Sequence, residues 1–194
     1  MRLQLCSILA LPLLLQAFAS QGEQIVMDTP VAHQSMKPTL ADLLTIEAST
    51  SIFYSYAREL QLSEMFTAAG TTAATLLVPT NKAVMALARK PHQGPAPVDD
   101  GIVITDEEFD SQSKEHVERW VSAHIIPQSP ISFDQTYPTL LEGKSISFTQ
   151  SSKKGDANAP DWSKVVIGDN IHIIGMREAS NGILYLIDGA ISSD

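Results

Sequence analysis

The chain has 194 residues, with 13 Lys+Arg against 22 Asp+Glu and a formal net charge of −9, a length that suits one ordinary domain or two very small ones. Its cations form no cluster dense enough to neutralise a run of phosphates, which excludes nucleic acid as the partner. The single cysteine, Cys6, stands in the opening stretch, so the rest of the chain has no disulfide, thiolate metal site, cysteine nucleophile or C-x-x-C redox pair.

Arg2 precedes Leu3, Leu5, Ile8, Leu9 and Leu13-Leu14-Leu15, and Ala17-Phe18-Ala19 follows. A basic start, a short apolar run and small residues at cleavage spacing predict a signal peptide over 1–19. Cleavage after Ala19 removes one cation, Arg2, and no acid. The apolar run is too short to span a bilayer and nothing later supplies about 20 continuous apolar residues, so no integral membrane segment is expected in the mature chain. None of Asn81, Asn158, Asn170 and Asn181 heads an N-x-S/T sequon. Residues 20–37, with Gly22 and Pro30 and no sustained periodicity, read as a flexible leader.

Thr39 with Asp42 has capping-box spacing ahead of Leu40, Leu43 and Leu44. Ser49 or Ser51 opens a second helix, with Ile52, Phe53, Tyr56 and Leu60 on one stripe, and Ser63 a third, stopped by Gly70. Thr75–Val78 then reads as a short strand ended by Pro79. Thr80 caps a helix that turns Ala83, Val84 and Leu87 inward and closes at Pro91. Residues 91–112 read as an exposed acidic excursion around Ile102-Val103-Ile104. Its carboxylates from Asp99 to Asp110 leave weak calcium binding open beside the plainer account of a solvated loop.

A helix from Ser113 carries Val117, Trp120, Val121 and His124, and Pro127 and Pro130 follow it. Strands dominate thereafter: Ile146–Thr149, Val165–Ile167, Ile171–Ile174 and Ile183–Ile187, the last two joined at Ser180-Asn181-Gly182 by an Asn-Gly turn that tolerates two positive φ angles. Helices first and strands later predict an α+β domain with helices on one side of an antiparallel sheet.

The usual motifs of chemistry are missing: no G-x-S-x-G, no H-E-x-x-H, no phosphate-binding glycine loop and no calcium loop. His116 and His124, eight residues apart on one helix, lie about 12 Å apart along its axis and cannot share a zinc ion. No catalytic, cofactor-binding or metal residue is therefore assigned. Two uses of His124 stay open: a structural histidine bonded to nearby backbone or hydroxyl, or the base of an acid–base hydrolase working with a nearby carboxylate; a Ser/His/Asp triad with Asp188 can be assembled only on paper. His172 is expected to be a partly exposed strand residue. Lys154-Gly155-Asp156 spells a tripeptide similar to an integrin-binding loop.

Two segments resemble the fasciclin domain. Thr75-Leu76-Leu77-Val78-Pro79-Thr80-Asn81-Lys82-Ala83-Val84 is similar to the family's first motif, and Asn181-Gly182-Ile183-Leu184-Tyr185-Leu186-Ile187-Asp188-Gly189-Ala190-Ile191 to its closing one. Between them Val121–Ile126 looks like the family's central helix ending in a histidine, and Thr139–Leu141 with Gly143 and Ile146 like the start of its late strands. The resemblance implies a fasciclin-like α+β domain over 38–192, with helices packed against an antiparallel β-sheet wedge. Pro79, Thr80, Asn81, Trp120, His124, Asn181, Gly182, Tyr185 and Asp188 are its structural motif residues. It also implies a non-enzymatic role in cell adhesion or the extracellular matrix, through a protein or cell-surface polymer. The family often occurs as tandem copies or beside a lipid anchor, whereas this sequence shows one copy. A monomer is expected, secreted by default, with a vacuolar or other secretory-pathway lumen as the alternative address.

Overall fold

The first helices are short and depend on caps. The computed structural model describes residues 37–67, 73–95, 105–151 and 158–193. The signal segment, the leader up to residue 36, Gly70, Asp99-Asp100, Ile102–Ile104 and Lys154–Asp156 lie outside these residues. Helix α1 (Leu40–Ile46) starts at Thr39, whose hydroxyl accepts from the Asp42 N–H while the Asp42 carboxylate accepts from the Thr39 N–H. That box satisfies two amide donors that a seven-residue helix would otherwise leave to water. A 3₁₀ turn, Ala48–Thr50, leads into α2 (Ser51–Ala57), and α3 (Ser63–Thr67) follows. Leu40, Leu44, Phe53, Ala57 and Phe66 from these pieces are buried in one core. Helices this short hold their shape through packing rather than propensity.

Strand β1 (Ala74–Pro79) is buried at every position. Thr80 then caps α4 (Asn81–Ala86) by accepting from the Ala83 N–H, and a 3₁₀ turn (Pro91–Gln93) precedes α5 (Asp106–Ala123). Strands β2 (Ile125–Ile126), β3 (Thr136–Pro138), β4 (Ser145–Gln150), β5 (Val165–Ile167), β6 (Ile171–Ala179) and β7 (Gly182–Ile187) complete a seven-stranded sheet in the order β2-β1-β7-β6-β5-β4-β3. All neighbours are antiparallel except β1 and β7, which run parallel from Ala74↔Gly182 to Pro79↔Ile187.

The β1–β7 pair divides two cores by strand periodicity. Leu76, Val78, Leu184 and Leu186 point into the helical core with Trp120 and Phe53. Leu77, Tyr185 and Ile187 point the other way and cluster with Tyr137, Ile146 and Phe148 from the far end of the sheet. Side chains two apart share a face and neighbours oppose, so a strand buried on both faces reads as an unbroken apolar run. Burying each such Leu or Ile stabilises the fold by roughly 1.5–3 kcal/mol.

Two expectations are corrected. Helix α5 begins at Asp106, not Ser113: Thr105 accepts from the Glu108 N–H and Glu108 answers to the Thr105 N–H, and Asp106, Glu107 and Glu108 fill the first turn. Residues 106–110 are thus not loop. Their negative charge sits where the helix end exposes amide donors and partial positive charge. The β6–β7 turn is Ser180-Asn181 rather than Asn181-Gly182, because Ala179 pairs with Gly182, and among the described residues no non-glycine residue has positive φ. Asn181 is occupied elsewhere. Gly182 (φ +156) is required by close approach, since a Cβ there would lie 2.0 Å from the Ala74 carbonyl oxygen of the parallel neighbour.

Candidate functional site

His124 caps the C-terminus of α5 and is completely buried. Its Nδ1 lies 2.7 Å from the Trp120 carbonyl, and its Nε2 accepts from the Ile191 N–H at 3.0 Å. A carbonyl only accepts, so Nδ1 carries the hydrogen and Nε2 the lone pair, which fixes one neutral tautomer. The ring packs against Trp120 (centroids 4.7 Å apart) and Phe53 (5.7 Å). Burial lowers its pKa from 6.5 to about 4, with the Trp120 carbonyl pulling modestly the other way. Both nitrogens are bonded to backbone, and among the described residues no carboxylate is bonded to His124. Asp188 faces a different histidine.

Asp188, just past β7, accepts the His172 N–H through Oδ1 at 2.7 Å, and its Oδ2 lies 3.2 Å from His172 Nδ1. The two side chains are 33% and 44% exposed, and the pair ties the start of β6 to the end of β7. The two asparagines work as long-range caps. Asn81 accepts the Ile52 N–H at 2.9 Å and donates to the Ala48 carbonyl and the Ser51 hydroxyl, both at 3.0 Å. In Pro79-Thr80-Asn81, then, Thr80 caps its own helix and Asn81 caps its neighbour, α2. Asn181, 2% exposed, accepts the Leu40 N–H at 2.8 Å and donates to the carbonyls of Met65 and Phe66. It joins α1 and α3 to the β6–β7 hairpin. Trp120 and Tyr185 are buried in the two different cores; burial, and secondarily the Glu178 charge, holds the Tyr185 phenol above its usual range.

Beside the His124 knot, sharing Trp120 and Ile191 with it, a cleft of about 660 Å³ opens between the 87–95 segment, α5 and the tail at 190–193, within the range of ligand pockets. Leu87, Pro91, Trp120 and Ile191 supply apolar lining, and among the described residues Arg89, Lys90 and Arg119 bring cationic side chains against one lining carboxylate, Glu115. Lys90 has its three donors on the C-terminal carbonyls of α4 and just beyond: Met85 at 2.8 Å, Leu87 at 3.1 Å and Val84 at 3.3 Å. Arg89 donates from Nε to Gly94 O and from Nη2 to Gln93 O, each at 2.9 Å. Arg119, an exposed residue, reaches Ser193 O at 3.4 Å. His116 forms part of the wall: Gly94 (φ +58) lies so close over its ring that a Cβ there would be 2.3 Å from Cε1. The His116 Nδ1 is closed to solvent with no hydrogen-bond partner among the described residues. Among those residues no three His, Cys, Asp or Glu side chains gather in a way that could hold a metal.

The Fasciclin family profile, described as "Fasciclin domain", matches residues 48–193. The chain belongs to the fasciclin family. It is 28% identical over 163 residues to a FAS1 domain-containing protein of Aspergillus fumigatus, covering 81% of this chain and 65% of that one. A FAS1 domain-containing protein of Emericella nidulans is 29% identical over 167 residues, with 80% and 62% covered, and one of Saccharomyces cerevisiae is 27% identical over 130 residues, with 58% and 47% covered. The chain thus spans less than two thirds of the length of these relatives. The FAS1 domain pair of the insect cell adhesion molecule Fasciclin I shares the fold, with a TM-score of 0.56 at 16% identity over 81% of this chain and 51% of the pair's.

Within this fasciclin domain Asn81, Asn181 and His124 tie distant segments together through their hydrogen bonds, whereas the cleft residues Arg89, Gly94 and Arg119 carried no motif and His116 was weighed only as a zinc partner of His124. Two of them sit more than twenty residues from the other two, and only the packing of the 3₁₀ turn on α5 brings them together. The one local signal was Arg89-Lys90-Pro91, a pair of cations ahead of a helix-breaking proline.

Proposed function

We propose that this fasciclin domain is a non-enzymatic interaction module that enters the secretory route and recognises a protein or cell-surface polymer. The observation that carries this reading is the state of His124: neutral, sealed, and bonded to backbone through both nitrogens. A general base must reach a substrate proton within about 3 Å, and this imidazole has no lone pair to offer. The nine motif residues from Pro79 to Asp188 serve architecture, and the recognition surface lies elsewhere on one domain of about residues 38–192. The insect Fasciclin I is a cell adhesion molecule, and fold likeness alone transfers no partner. For this chain, adhesion-type binding is the working expectation. Among the described residues no helix is long and apolar enough to cross a membrane.

Crosslinking of the untagged protein in its own compartment, after fractionation and sequencing of the new N-terminus, tests this reading. A start near Ser20 in the medium or wall fraction, with a protein or polymer captured, supports it. An uncut N-terminus in membranes sinks the signal peptide. Turnover of hydrolase substrates that disappears in a folded His124 variant sinks the non-enzymatic assignment.

A further inference from the structure

We infer that the cleft between the 87–95 segment, α5 and the 190–193 tail binds a peptide segment carrying a single carboxylate flanked by apolar side chains. The inference rests on the reading of the domain as an interaction module and names its site.

Charge is the first argument. The chain carries −9, yet among the described residues this cleft sets Arg89, Lys90 and Arg119 against one lining carboxylate, Glu115. Of the three cations, Lys90 is committed to holding the end of α4 and contributes its field rather than its donors. The two arginines differ from it. A guanidinium has five N–H groups in a planar fork. Arg89 gives two of them to the Gln93 and Gly94 carbonyls, which fixes the side chain. Arg119 makes one long bond to Ser193 O. Each retains a fork edge suited to bidentate contact with a carboxylate. A guanidinium already braced by backbone carbonyls loses little rotamer freedom when a ligand arrives, so less of the contact energy is given up to ordering.

The second argument is the lining between the charges. Leu87, Pro91 and Ile191, with the edge of Trp120, form apolar walls that reward an aliphatic side chain next to the carboxylate. A densely charged polyanion, such as an acidic polysaccharide, would lay uncompensated charge over those walls. It would also meet Glu115 and the negative field of the whole chain. One carboxylate between apolar neighbours fits where a run of them does not.

The third argument is independent of both. The His116 Nδ1, closed to solvent and without a partner among the described residues, belongs to this cleft's wall beneath Gly94. Folds rarely leave such an atom. Leaving it unsatisfied costs stability, and the wall that accepts that cost is the one lined with cations.

The test uses the purified full chain and fluorescence anisotropy with a labelled Gly/Ser peptide bearing a central Leu-Glu-Leu. The comparison probes are the same peptide with Leu-Gln-Leu and an oligogalacturonate competitor. Saturable binding of the Glu peptide, at least tenfold weaker for the Gln peptide, is expected. Arg119→Glu should weaken it at least tenfold, and Ala88→Trp, which fills the cleft from an exposed position without touching charge, should abolish it. Melting temperature is measured in parallel; if Ala88→Trp shifts it by more than a few degrees, Arg119→Gln decides in its place. No saturable binding of the Glu peptide, equal binding of the two peptides, or an unaffected folded Arg119 variant each overturns the inference. Tighter binding of oligogalacturonate overturns the choice of a peptide. Failure here leaves the crosslinking result standing, because a captured partner with this cleft silent would place recognition on another surface.

Discussion

Helix α5 carries two histidines eight residues apart that meet opposite fates. His124, at the last turn, lies among Trp120, Phe53 and the closing segment, with Nδ1 and Nε2 both bonded to backbone. His116, two turns earlier, lies under Gly94 at the edge of a cationic cleft with an unpartnered Nδ1 among the described residues. The residue type and helix are the same, so the difference comes from what packs on each. Ile191 brings an amide donor to one ring, and the 3₁₀ turn brings a glycine Cα to the other. A titratable side chain with every polar atom matched is part of the architecture. One left incomplete at the edge of a charged cleft is a cost that the internal architecture does not account for.

The largest effect that tests this contrast is His124→Ala. It empties a fully buried site and strands the Ile191 N–H and the Trp120 carbonyl, so unfolding free energy should fall by about 3–5 kcal/mol. Denaturant titration showing a loss below about 1 kcal/mol would mean His124 is not the architectural member of the pair.

Acid should act through the same residue. The folded-state pKa of His124 lies at about 4 against 6.5 in the unfolded chain, so the unfolded state takes up its proton first as pH falls. The contribution is fully present above pH 6.5 and is lost progressively down to and through pH 4, about 3 kcal/mol in all. Asp42, Glu108 and Glu178, whose pKa values are lowered by bonds to Thr39, Thr105 and Lys37, act in the same direction at the acid end of that window. Between pH 6.5 and 5 the slope should therefore follow His124. Its Cε1–H resonance should stay at the neutral position across that range in the native spectrum, and a native-state transition near 6.5 would break the assignment.

Gly94→Ala probes the other histidine. The new Cβ meets the His116 ring at 2.3 Å from a backbone with φ +58, and a cost of about 1–3 kcal/mol is expected for the strained conformation. A neutral outcome would show that the turn does not press on His116. The smallest effect should come from Arg119→Glu. Its side chain is exposed and its one bond here is long, so stability should stay within about 0.5 kcal/mol. A larger thermal shift would make Arg119 part of the fold rather than of the cleft.

What the sequence by itself determined is mostly local. Thr39 and Thr80 cap the helices that follow them because capping is settled within four residues. The alternation of Ile183, Tyr185 and Ile187 against Leu184 and Leu186 assigns two faces because side chains alternate along a strand. The Thr105–Glu108 capping box was equally legible, but a run of acids beside prolines reads as loop unless the box is sought first. Tertiary structure decided the rest. It made Asn181 a buried three-way link instead of a turn residue, since its partners Leu40 and Phe66 lie more than 110 positions away. It set β1 parallel to β7, a pairing of segments more than 100 positions apart that forces a glycine at 182. It also made one histidine silent and gathered Arg89, Arg119 and His116 at one cleft. Periodicity and caps depend on neighbours in the chain, whereas the polar partners of a buried group and the charges that meet at a cleft depend on how distant segments pack.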